Sequence, residues 1–322
     1  MQFKGKLRSV ASLAAVLVTV WLAPAEAAYP EKPINFVCWS AAGSPMDIMM
    51  RKLAALTEKE IGQSIVVENR AGGSGAVAMA YVMSQPAEGY VVQSTSTSMT
   101  FTMAKGQVPF TPDDFIMLRA LQAEPSSVAV RKDSPLKSMK DFVDTLKAKP
   151  NGLKIGGYAS AGFHQFVFYQ VLKATGVKAA WVPFDGGNQA ALALLGGHID
   201  AAFMTPSSAL AQVKSGELRL LGVSTAERSM FLPDVPTMKE QGVDVVEAIW
   251  RGIMVKKGTP KSALDPLLSA VRKVESSQEW KDFMTQQQQD FMNLDPEQLT
   301  AKVRKELVEQ RTFLQEGGFL KK

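Results

Sequence analysis

Ile34-Asn35-Phe36-Val37-Cys38-Trp39 is followed by Ser40-Ala41-Ala42-Gly43-Ser44-Pro45, and then by Asp47-Ile48-Met49-Met50-Arg51-Lys52-Leu53. The first run is apolar enough for a buried strand, the second is small and nearly free of side chains, and the third opens a helix. A strand that empties through such a loop into a helix N-terminus presents unpaired backbone N–H groups and a partial positive charge. That arrangement receives an anion through backbone atoms and needs no catalytic side chain.

Outward from this unit, strand-like and helical runs alternate. Ser64–Glu68, Tyr90–Ser94, Val128–Val130, Leu153–Gly156, Ala180–Val182, Ile199–Met204 and Leu218–Val223 read as strands. Ala76–Met83, Ser138–Lys149, Phe163–Thr175, Asn188–Leu195 and Ser207–Lys214 read as helices, with Ser138 as a cap and Asp141 in the first turn. From Ser262 onward the pattern is nearly all helical. Regular alternation predicts an α/β fold of parallel, doubly wound sheets. A chain of this length divides into two domains. Crossings near Ala129–Pro135 and Ala248–Ile253 give a two-lobed clamshell joined by two hinge strands, with lobe 1 at 28–130 and 250–322 and lobe 2 at 131–249.

The first 27 residues read as an export signal: Lys4, Lys6 and Arg8, an apolar run from Val10 to Leu22, and Ala25-Glu26-Ala27 before a cleavage point. The apolar run is shorter than the roughly 20 residues needed to span a bilayer. The expectation is cleavage after Ala27 and a periplasmic location. Removing the segment's three basic residues and one acidic residue from 36 and 31 leaves 33 and 30, net +3. Such a mild, scattered balance argues against nucleic acid as a partner. Cys38 is the only cysteine, so no intramolecular disulfide is available, and it reads as a buried thiol.

Catalytic residues are scarce. Of two histidines, His198 lies in a turn before a strand, and His164 opens a helix four residues after Ser160. A hydrolase acting through Ser160 and His164 is the rival class, yet no G-x-S-x-G elbow is present. Metal-ligating residues do not cluster, and no cofactor is expected. Ala71–Ala76 has the glycines of a phosphate loop without its lysine and reads better as a tight turn. What remains are small, hydroxyl-rich loops at strand C-termini, where open α/β sheets bind ligands. They are Ser40–Pro45, Ser94–Thr100 (with Ser96 and Ser98), Tyr158–His164, Phe184–Asn188 and Thr205–Ser208. Asp47 is placed to complement the helix dipole, to orient its loop or to accept from a ligand ammonium group.

Several motifs occur in order: Tyr29–Ile34, Val67–Gly75, Pro86–Tyr90, Ser215–Arg228, Leu232–Thr237, Trp250-Arg251-Gly252 and Gly258-Thr259-Pro260. On these residues the chain, from Tyr29 to near its end, resembles the substrate-binding proteins of tripartite tricarboxylate transporters, the Bug-type receptors. The resemblance implies a periplasmic two-lobed receptor of the periplasmic-binding-protein type that closes on a small carboxylate and delivers it to separate membrane transporter chains. It implies that the ligand meets Ser40, Ala41, Ala42, Gly43, Ser44 and Asp47 of the first loop, and Ser160, Gly162, Phe163, His164 and Gln165 of the second lobe, with Gly186, Gly187 and Thr205 nearby. Ser44-Pro45-Met46 interrupts the family's usual glycines, and its second-lobe loop is shorter. Gln165 stands where histidine is common, and Asp185 where lysine is. With Trp39, Phe163 and Phe184 as candidate pocket walls, aromatic and dicarboxylic acids are both candidate ligands. A monomer is the default for a receptor that opens and closes. A sensor that presents its ligand to a signalling partner would use the same surface.

Overall fold

The computed structural model describes residues 29–320, so the export signal read at 1–27 lies outside them. In chain order the elements are β1 (Ile34–Cys38), α1 (Pro45–Ile61), β2 (Ile65–Asn69), α2 (Ala76–Ser84), β3 (Val91–Ser96), α3 (Thr97–Ala104), β4 (Phe115–Pro125) and β5 (Ser127–Arg131). There follow α4 (Met139–Ala148), β6 (Lys154–Tyr158), α5 (Phe163–Thr175), β7 (Ala180–Phe184), α6 (Gly187–Leu195), β8 (Ala201–Met204), α7 (Leu210–Lys214) and β9 (Leu218–Val223). The chain ends with β10 (Ala248–Lys256), α8 (Lys261–Ser276), α9 (Gln278–Gln287), β11 (Asp290–Leu294) and α10 (Pro296–Glu316).

Local chemistry explains the elements that position the cleft. In α1, Ser44 caps, Pro45 occupies the first turn, where its missing N–H costs nothing, and Gly62 ends the helix in the left-handed region at φ 72°. Ser138 caps α4 as expected, its side chain accepting from Asp141 N.

Two sheets form, in the orders β11-β4-β10-β3-β1-β2 and β7-β6-β8-β5-β9. The two-lobed α/β reading holds, but the expectation of purely parallel sheets is corrected. Strands joined by helical crossovers are parallel, as in β1 with β2 and β3 and in β6 with β7 and β8. β10 instead runs antiparallel to β3 and β4, and β5 antiparallel to β8 and β9. The strands that carry the chain between lobes enter each sheet from its far side, so no right-handed crossover fixes their direction.

β4 leaves the first sheet at Pro125 and β5 enters the second at Ser127. Ser224 laces the two crossings, donating its N–H to Ser126 O and its Oγ to Glu247 O, while accepting on Oγ from Ser126 N. Gly252 sits at a register shift between β10 and β4, where an added Cβ would come within 2.1 Å of Arg119 O, so no larger residue fits.

Two helices also cross between lobes. Leu299 and Val303 of α10 pack in the first lobe's core, whereas Phe313 and Leu314, about three turns on, join the second lobe's core. Phe101 of α3 meets Phe166 of α5 edge-on at 5.9 Å, and Phe313 meets Phe166 at 5.6 Å. Each such pair contributes about 0.5–1.5 kcal/mol beyond area burial. This aromatic cluster joins α3, α5 and α10 in one core.

Candidate functional site

The first loop is satisfied from within. Ser44 Oγ accepts from Asp47 N at 3.2 Å, and Ser44 N donates to Ala41 O. The Asp47 carboxylate accepts from Gly43 N at 2.8 Å, from Arg51 Nε at 3.0 Å and from Asn69 Nδ2 at 2.8 Å; Asn69 also donates to Ser40 O. Burial alone would raise the Asp47 pKa, but the bonds from Arg51, Gly43 and Asn69 outweigh it and hold the carboxyl below its ordinary range. The amides of Gly43, Ser44 and Asp47 are thus bonded within the loop, and of the roles offered for Asp47 the bonds from Gly43, Arg51 and Asn69 match the orienting of its loop. A serine cap followed by proline closes this helix end by itself. Ser40 is half-buried, and Ala41 and Ala42 are exposed. Trp39 is half-buried between two cores of the first lobe, with its backbone N–H on Ser94 Oγ. The Trp39 indole N–H is buried without an acceptor among the described residues.

The second-lobe loop has the opposite character. Ala159 and Ala161 both adopt left-handed backbone, at φ 61° and 54°. Non-glycine residues there are strained, and such strain persists only where surroundings enforce it. Ala159 is held by its N–H to Phe184 O and by Trp181 Nε1 to its carbonyl, and Ala161 N donates to Gln165 Oε1 at 2.6 Å. Gln165 is thus spent on the loop. Gly162 is the N-cap of α5 and offers no side-chain cap. The first intrahelical bond runs from Phe166 N to Gly162 O, so the amides of Phe163, His164 and Gln165 have no partner inside the helix.

His164 is buried, its Nδ1 lies 2.9 Å from Ser126 Oγ at the interlobe crossing, and burial pushes its pKa down to about 3. The hydroxyl within its reach is that of Ser126, while Ser160 is exposed. The Ser160–His164 pairing that a hydrolase would need does not form.

A cavity of about 100 Å³ lies between this loop and α3. Its second-lobe wall is Tyr158 through His164; its first-lobe wall is Ser74, Ser98, Phe101, Thr102 and Lys105, with Ile249 of β10 beside them. Ser96 does not line it: Ser96 is buried and its Oγ caps α3 by accepting from Ser98 N. Ser74 adopts φ 50° amid Gly72, Gly73 and Gly75, all at positive φ, so this loop is the tight turn expected. The Ser74 carbonyl accepts from Thr102 Oγ1 at 2.9 Å. Lys105 and Thr102 escaped the sequence reading because α3 did, and Ser74 because its loop was read only as a turn. Ser96 as a cap followed by Met99 and Met103 four apart was the available sign.

Gly186, Gly187 and Thr205 gather elsewhere. Gly186 is the N-cap of α6, again without a side-chain cap. An added Cβ on Gly187 would lie 2.5 Å from Ser208 Oγ, so these two loops touch. Thr205 Oγ1 is 2.8 Å from Ser208 Oγ, and Ser207 N donates to Glu124 Oε1, which docks the loop on the hinge. Glu124 is 3.7 Å from Arg251, and Arg251 Nη1 donates to Gln289 Oε1 at 2.8 Å. None of Gly186, Gly187 and Thr205 lines the cavity beside Lys105. Three larger depressions exist: one of about 610 Å³ lined by α8 and Ser277, one of about 540 Å³ between Ser224–Met230 and Asp290–Leu294, and one of about 350 Å³ between α5 and Asp244–Glu247. None of them includes Ser40–Asp47 or Ser160–Gln165 in its lining.

Residues 49–319 match the protein family described as TctC, tripartite tricarboxylate transporter family receptor. A protein of Cupriavidus necator, named UPF0065 protein in gbd 5'region, is 30% identical over 269 residues, which is 82% of each chain. The crystal structure of a TctC solute-binding protein from Polaromonas, solved without ligand, is 29% identical with a TM-score of 0.82, covering 89% of this chain and 99% of that one. The structure of the periplasmic binding protein BugD is 25% identical with a TM-score of 0.69, covering 91% of this chain and all of the other.

Proposed function

Because the chain belongs to the tripartite tricarboxylate transporter family of receptors, we propose that it captures a small carboxylate in the interlobe cleft and passes it to separate membrane chains. The observation that carries this reading is the uncapped N-terminus of α5 on one wall of a cavity whose other wall belongs to the first lobe. Amides without intrahelical partners and a partial positive charge suit a carboxylate. The Ser98 hydroxyl stands opposite, whereas that of Thr102 is donated to backbone carbonyls of Ser74 and Ser98. The cavity is small beside the roughly 300–1,000 Å³ of drug-sized sites, which favours a compact ligand.

The same reading makes the chain a receptor and not an enzyme. His164 is neutral, buried and engaged with Ser126, which leaves Ser160 without a base. No described helix is long and apolar enough to cross a membrane. The family of periplasmic receptors supports an exported chain, cleaved after Ala27, that works in the periplasm.

A thermal-shift panel of mono-, di- and tricarboxylates, aromatic acids, amino acids and uncharged sugars tests the reading. A ligand at 100 times its Kd stabilises the native state by about 2.7 kcal/mol. For a chain of this size that raises Tm by on the order of 5 °C. Carboxylates should shift Tm and sugars should not. Shifts confined to sugars or cations would remove the anion site.

A further inference from the structure

We infer that Lys105 is a specificity-determining residue: it receives a second anionic group, so that the ligand is a dianion with an apolar middle and not a monocarboxylate. The inference rests on the carboxylate reading above and names the ligand class within it. Lys105 follows the last turn of α3, is half-buried, and faces the cavity shared with the Ala159–His164 loop. It makes no ion pair or side-chain hydrogen bond among the described residues, and no aspartate or glutamate lines that cavity.

Other cations with low exposure are all occupied. Lys302 is 2.9 Å from Glu306, Arg119 is 2.7 Å from Glu275, and Arg251 is 3.7 Å from Glu124. Lys256 donates to the carbonyls of Met83 and Gln85 at 2.7 and 2.8 Å. Lys105 alone is left partly stripped of water without such a partner, and burial lowers its pKa. The carbonyls at the end of α3 attract a nearby cation, yet none lies within hydrogen-bond reach of the ammonium. An anion arriving in the cavity would restore what desolvation removed. Phe101, Phe163 and Ile249 share the lining of the cavity with Lys105, and a charged spacer against them would lose its water unrewarded.

The test is calorimetric titration of matched pairs, glutarate with valerate and adipate with hexanoate, into wild type, Lys105→Gln and Lys105→Arg, with urea unfolding of each unliganded protein. Wild type should prefer the diacid of at least one pair by roughly 10- to 100-fold, the worth of a charge-assisted hydrogen bond. Lys105→Gln should erase that preference by weakening the diacid alone, and Lys105→Arg should keep part of it. Equal weakening of diacid and monoacid, an unchanged preference, or a wild type indifferent to the second carboxylate would each overturn the inference. A wild type that binds no carboxylate at all would instead overturn the receptor reading on which it rests.

Discussion

The Asp47 carboxylate accepts the backbone N–H of Gly43 at 2.8 Å, across the loop that joins β1 to α1. With Arg51 and Asn69 as its other donors, it ties the loop to the helix and to the neighbouring strand β2. The Asp47 side chain is 4% exposed, so little water competes for these bonds.

Asp47→Ala should therefore lower unfolding free energy by about 2 kcal/mol, in the range of a charge-assisted bond lost from a buried position. Because no ligand donor is removed, carboxylate affinity should change by less than about threefold. Urea titration and calorimetry on the same preparation separate the two effects. A large affinity loss at unchanged stability would make Asp47 a ligand contact.

Buried His164 and half-buried Glu247 set opposite pH slopes. The His164 pKa is pushed from 6.5 down to about 3 by burial, so the unfolded chain binds the extra proton between these values and stability rises with pH. That contribution is complete above pH 6.5 and is lost as pH falls towards 3. The Glu247 carboxyl, at the return crossing, is pushed from 4.5 up to about 7 by burial. The native state keeps that proton while the unfolded chain loses it, so stability falls as pH rises from 4.5 to 7. Each full proton is worth about 1.4 kcal/mol per pH unit. Between 4.5 and 6.5 the two slopes cancel in wild type. Urea midpoints measured at pH 4.5, 5.5 and 6.5 should fall with pH, relative to wild type, in His164→Asn and rise in Glu247→Gln. Parallel profiles in all three proteins would contradict both assignments.

The opening strand, loop and helix were legible because apolar periodicity, a serine cap and a proline agree over one short stretch. So was the clamshell. Less legible was α3, since Thr97, Ser98, Thr100 and Thr102 are residues whose side chains compete with helical hydrogen bonds. Burial of Met99, Phe101 and Met103 against distant segments decides its structure, and no local pattern carries that. With α3 hidden, Lys105 had no place in the cleft. The first loop was found, but not that its Gly43, Ser44 and Asp47 amides are bonded within it. Sequence marks a helix N-terminus, yet whether its amides are free depends on which side chains fold back onto them. At α1 they do; at α5, where glycine caps, they do not.

That contrast makes Gly162 the decisive position. Its backbone is extended, φ −118° and ψ −175°, and an added Cβ would meet only Ala159 Cβ at an ordinary 3.5 Å. Gly162→Asp should fold and cap α5, stabilising the unliganded protein by a few tenths to about 1 kcal/mol. Its carboxylate would occupy the place of the ligand's own. Calorimetric titration of the carboxylate that binds wild type most tightly should show affinity lower by at least about tenfold in a protein whose Tm is equal or higher. Wild-type affinity in Gly162→Asp would show that the carboxylate does not sit on α5.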